Sequence, residues 1–87
     1  MTAPAHVLVV EDDLVNRAKL AGYLEAAGHR VSEADDGLAM RRIMAEDPID
    51  LLLLDINLPG EDGLELTREV RAKTEIGIIL VLSLIHI

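Results

Sequence analysis

Short apolar runs alternate with amphipathic stretches along this chain, and each change of period marks an element. His6 followed by Val7-Leu8-Val9-Val10 predicts a buried strand that ends in Glu11-Asp12-Asp13. Leu14 to Ala27 reads as a helix, because Leu14, Ala18, Ala21 and Leu24 recur on one face, and Gly28 follows as a stop. Arg30 to Ala34 predicts a second strand. Asp36-Gly37 then leads into a second helix with Ala39, Met40, Ile43 and Met44 as its buried side, closed by Pro48. Asp50 to Asp55, carrying Leu51-Leu52-Leu53-Leu54, predicts a third strand buried on both faces. Leu64 to Lys73 reads as a third helix with Leu66, Thr67 and Val70 inward, and Gly77 to Leu82 as a fourth strand.

The order β-α-β-α-β-α-β implies right-handed crossovers and a parallel sheet. The expected fold class is therefore α/β, a doubly wound sheet of flavodoxin-like type with strand order 2-1-3-4. No repeat, low-complexity segment or linker divides the chain, so residues 1–87 form a single small domain. The fourth strand has no following helix to cover it, and its apolar end leaves an exposed edge through which chains could associate.

Composition narrows the functions. Apolar residues make up 51% of the chain, yet there is one tyrosine and no phenylalanine or tryptophan, so the core must be aliphatic. A formal charge of −8 argues against direct nucleic-acid binding, which needs lysines and arginines to displace counterions. The absence of cysteine excludes disulfide and thiolate chemistry and allows a reducing cytoplasm. The residues before His6 do not read as a signal peptide, and the apolar stretch from Ile76 to Ile87 is too short to span a bilayer. The expected location is cytoplasmic, with no membrane association.

The chemistry gathers at two strand ends. Open α/β sheets place their ligands outside the carboxyl ends of the strands, and strands one and three are neighbours in the expected order. Asp12 and Asp13 after the first strand should therefore meet Asp55 after the third. An isolated aspartate there would simply cap a helix. Three that converge repel one another unless a hard cation with oxygen ligands sits between them, and Mg²⁺ fits. Glu11, the first acid of its triplet, is expected to cap the strand. The loop Ile56-Asn57-Leu58-Pro59-Gly60-Glu61-Asp62-Gly63 is rich in turn formers and should leave Asp55 exposed.

Val7-Leu8-Val9-Val10-Glu11-Asp12-Asp13, taken with Leu51-Leu52-Leu53-Leu54-Asp55-Ile56-Asn57-Leu58-Pro59-Gly60 and Asp62-Gly63, resembles the receiver domain of bacterial two-component response regulators, within them the winged-helix transcription-factor group. The resemblance implies that Asp55 is the phosphoacceptor for a sensor histidine kinase. It implies that Asp12 and Asp13 hold Mg²⁺ with Asp55, and that the Asn57 backbone carbonyl completes the metal site. It also implies a signalling module rather than an enzyme, in a parent that regulates transcription. Asn16 and Arg17 fall where kinases contact such domains, although a solvated helix face accounts for them equally well.

The resemblance spans residues 6–82, and the chain departs from the pattern at its end. The hydroxyl residue that senses the phosphoryl group belongs where Leu82 stands. Ser83, one position later, is the nearest candidate for this switch role, and a one-residue slip reverses its face. The fifth strand, its lysine and the last two helices are missing from the expected set, so the receiver reads as C-terminally truncated and 83–87 as a non-native tail. Two alternatives stand beside the signalling function. One is a phosphatase of the haloacid-dehalogenase type with Asp55 as nucleophile, which would want a second aspartate where Asn57 stands. The other is an inert receiver fragment.

Overall fold

The computed structural model describes residues 4–82. In chain order the elements are β1 (His6–Val10), α1 (Leu14–Ala26), β2 (Arg30–Ala34), α2 (Gly37–Glu46), β3 (Leu51–Asp55), α3 (Gly63–Arg71) and β4 (Gly77–Val81). The strands form one parallel sheet in the order β2-β1-β3-β4, as the alternation of elements predicts. Ser83 and the tail 83–87 lie outside the described residues.

Side chains alternate across the sheet, and the two faces are covered differently. Leu8, Val10, Leu52 and Leu54 join Met40 of α2 and Leu66 and Val70 of α3 in the main core, with Ile49 and Leu58 sealing its ends. Val7 and Val9 point the other way and are equally buried, so β1 is enclosed on both faces. The helix α1 packs against β1 and β2, and its Ala21 is buried apart from the main core. The expected α1 face is realised only there and, in part, at Leu24. Leu14 and Ala18 are exposed.

Each helix starts on an aspartate cap. The carboxylates of Asp13, Asp36 and Asp62 accept the N–H groups of Asn16 at 2.8 Å, Ala39 at 2.8 Å and Leu64 at 2.9 Å. Asp50, expected to open β3, instead turns its carboxylate to the His6 N–H at 2.7 Å, and the strand begins at Leu51. His6 is itself buried. Its Nδ1 lies 3.0 Å from the Pro48 carbonyl and its Nε2 2.7 Å from the Ser32 hydroxyl. A carbonyl can only accept, so Nδ1 donates to Pro48, and in the neutral ring Nε2 then accepts from Ser32. The ring thus joins β1, β2 and the approach to β3 at the end of the sheet away from the acids.

Arg41 spans the opening between α2 and α3. Its guanidinium donates to both carboxylate oxygens of Glu69, at 2.7 and 3.0 Å, and lies 3.9 Å from Glu61 in the loop after β3. The nearby Glu69 carboxylate holds the Arg41 pKa above its ordinary value, and Arg41 holds that of Glu69 below its own.

Candidate functional site

Register decides which acids meet. Val10 of β1 pairs with Leu54 of β3, so the residues that follow them, Glu11 and Asp55, emerge side by side. Carboxylate oxygens of Glu11, Asp12 and Asp55 lie within 4.8 Å of one another, and this is the cluster of potential metal ligands among the described residues. Asp12 and Asp55 meet as expected.

Asp13 does not join them. It is two residues further on and has already turned into the cap of α1, where its Oδ2 accepts from Asn16. The metal-ligand role expected for Asp13 therefore does not match this geometry, and Glu11 stands in its place. Nor does Glu11 act merely as a strand terminator. Its carboxylate is in the cluster, only 2% of its surface is exposed, and its Oε2 accepts weakly from the Asp13 N–H at 3.4 Å.

Asp55 is also buried, at 2% exposure, where the turn-rich loop after it led us to expect exposure. The loop folds back over the carboxylate. The Asn57 N–H donates to Asp55 Oδ1 at 2.9 Å, while the Ile56 N–H extends the ladder to the Val81 carbonyl at 3.0 Å. Closure depends on Gly63, where a Cβ would stand 2.5 Å from the Ile56 Cα. Asp12 is the exposed member of the three and opens the cluster to solvent.

Crowding carboxylates in a dry place is unfavourable, and Glu11 registers it. Its pKa is pushed up to about 7, first by burial, then by hydrogen bonds to the carboxyls of Asp55 and Asp12 and by the charge of Asp55, against a smaller opposing effect of the Asp13 N–H. Such a site either retains a proton or takes a cation. Three oxygen donors with no nitrogen or sulfur suit a hard divalent ion, so the residues present are compatible with Mg²⁺.

Residues 7–86 match the family described as "Response regulator receiver domain". This chain belongs to the response-regulator receiver family. Receiver domains are signalling domains, and the four-stranded order seen here is theirs. The chain is 49% identical over 78 residues to the TorCAD operon transcriptional regulatory protein TorR of Escherichia coli O157:H7, covering 90% of this chain and 34% of that protein. It is 46% identical over 74 residues to the aerobic respiration control protein ArcA of Escherichia coli K12, covering 85% of this chain and 31% of that protein. It thus spans about a third of the length of these curated relatives. Among solved structures, the receiver domain of the TMAO respiratory response regulator TorR superposes with a TM-score of 0.84 at 47% identity, covering 88% of this chain and 64% of that one. The BeF₃-activated receiver domain of Klebsiella pneumoniae RstA gives 0.84 at 34% identity, covering 93% and 69%.

Arg17 is a residue whose place the sequence left open. It is not a solvated helix charge: it reaches back to the end of β1 and donates to the Glu11 carbonyl. Among the described residues, no helix is long and apolar enough to cross a membrane.

Proposed function

We propose that Asp55 of this receiver accepts a phosphoryl group from a sensor histidine kinase, in a cytoplasmic parent protein that regulates transcription. The observation that carries the reading is the convergence of Glu11, Asp12 and Asp55 at the paired ends of β1 and β3. The activity of TorR and ArcA as regulators, and the activation of the RstA receiver by BeF₃, a phosphoryl mimic, support extending it to this chain.

In this reading Glu11, Asp12 and Asp55 hold Mg²⁺, with the Asn57 backbone carbonyl as a further oxygen donor. When bound, the ion would offset the negative charge of the transferring group. The chain's own contribution is positional. The Asn57 N–H orients one oxygen of Asp55, and burial strips water from the carboxylate. An Asp55 oxygen then forms a bond to phosphorus as the P–N bond of the phosphohistidine breaks, and the electron pair leaves with the imidazole nitrogen. Release would follow when water attacks phosphorus and the bond to the Asp55 oxygen breaks, so the domain would lose only the phosphoryl group it had itself accepted. The phosphatase alternative is not favoured, since Asn57 stands where that chemistry wants an aspartate.

The test is phosphorylation by acetyl phosphate in Mg²⁺, read by intact mass. One phosphoryl group should be gained and lost again in hydroxylamine or base, and Asp55→Asn should gain none. An equal adduct on Asp55→Asn, or none on the folded parent sequence, would sink the phosphoacceptor reading and leave the inert fragment. Turnover of a phosphate ester would revive the phosphatase.

A further inference from the structure

Both backbone groups of Glu11 are held from outside β1. Its N–H donates to the Ala34 carbonyl at the end of β2, at 3.0 Å. Its carbonyl accepts from Arg17 Nη1 of α1, also at 3.0 Å. That carbonyl belongs to the peptide plane joining Glu11 to Asp12, and the plane is rigid. Fixing it sets the direction in which two neighbouring carboxylates leave the backbone. Arg17 is in turn braced from behind: its Nε lies 3.2 Å from Glu33 Oε1, and only 16% of its side chain is exposed, against 44% for Glu33. The planar guanidinium serves both partners at once, which a lysine ammonium at the end of a flexible stem does less well.

We infer that Arg17 is a positioning residue of the phosphoryl-transfer site, holding the Glu11–Asp12 peptide so that the two acids present a preformed cation site. The inference rests on the reading of these acids as metal ligands. Arg17 acts here through the Glu11 carbonyl and is braced by Glu33, so its effect should appear in the cation requirement. Loss of a group that orients ligands from behind typically weakens metal binding by about 10- to 100-fold.

The experiment compares the parent chain with Arg17→Ala, Arg17→Lys and Glu33→Gln, using MgCl₂ as the probe. Two readouts are taken: Mg²⁺ affinity, from the thermal shift across a MgCl₂ titration, and the Mg²⁺ dependence of phosphorylation by acetyl phosphate. Arg17→Ala should weaken Mg²⁺ binding at least about tenfold and raise the half-saturating Mg²⁺ concentration in parallel, with the rate at saturation close to the parent's. Arg17→Lys and Glu33→Gln should fall between the two.

Unchanged Mg²⁺ affinity in a folded Arg17→Ala would overturn the proposal. So would a defect seen only with a kinase as phosphodonor, which would make Arg17 a docking residue. If Arg17→Ala fails to fold, the same comparison passes to Arg17→Lys and Glu33→Gln, and parental Mg²⁺ affinity in both would overturn it. If the parent binds Mg²⁺ but gains no phosphoryl group, the phosphoacceptor reading fails while Arg17 is still judged by the thermal shift.

Discussion

Gly63 stands where the fold and the chemistry share one atom's worth of space. A methyl group there would sit 2.5 Å from the Ile56 Cα and 2.9 Å from its carbonyl oxygen, and neither backbone atom can swing aside. Gly63→Ala should therefore destabilise the protein by roughly 2–3 kcal/mol, measurable by urea denaturation, and lower the extent of Asp55 phosphorylation by shifting the loop that covers it. Glu11 gives a prediction of a different kind. In chelator its carboxyl keeps its proton up to about pH 7 when folded, against an ordinary value of 4.5. The folded state binds more protons at Glu11 within that window, so the contribution of Glu11 to stability is fullest below pH 4.5 and is lost as pH rises to about 7. The loss is on the order of 3 kcal/mol, and Glu11→Gln should flatten the profile. A metal-free Glu11→Gln variant with the same pH profile as the parent would contradict the placement of Glu11. Asp12 and Asp55 were legible in the sequence because strand-end acids on neighbouring strands must meet. Glu11 was not, although its signal was present. The helix was expected to start at Leu14, which makes Asp13 its cap and leaves the acid nearest the strand to face Asp55.

Caps and ties show which elements set the site and which merely carry it. If Asp13 serves α1 alone, Asp13→Ser should keep both stability and Mg²⁺ affinity near the parent's, since serine caps about as well. Asp13→Ala should lose about 1 kcal/mol by the same reasoning. Asp12→Asn should instead weaken Mg²⁺ binding with little change in helix stability. A Mg²⁺ titration of the serine variant checks the assignment directly, and a large loss of affinity would return Asp13 to the metal site. The Arg41–Glu69 pair is half-exposed, and Arg41→Ala should cost no more than about 1 kcal/mol in thermal unfolding. The elements themselves were readable almost to the residue, because apolar runs and helical spacing alternate cleanly. What the pattern could not supply was depth. Leu14 and Ala18 have helical spacing yet stay exposed, and the four leucines of β3 divide between a well-filled face and a thinner one where Leu51 and Leu53 are only half-buried.

At the scale of the molecule, the sheet is unevenly protected. The edge at β4 exposes Ile79 and Leu80, at 49% and 41%. An apolar strand that has no second pairing partner among the described residues is a template for pairing. The chain as given should therefore associate as its concentration rises, and Ile79→Lys should shift sedimentation velocity profiles toward monomer. Concentration-independent sedimentation of the parent would argue against this edge as a contact. The sheet order has a further consequence, for synthesis. The strand at the centre, β1, is the first of the four to leave the ribosome, yet its second neighbour, β3, is complete only at Asp55. Until then Val7 to Val10 keep one side of their backbone unpaired, and any nascent chain stalled before that point presents a sticky strand. The interval of synthesis between Glu11 and Asp55 is thus the one in which this strand is most open to misassociation.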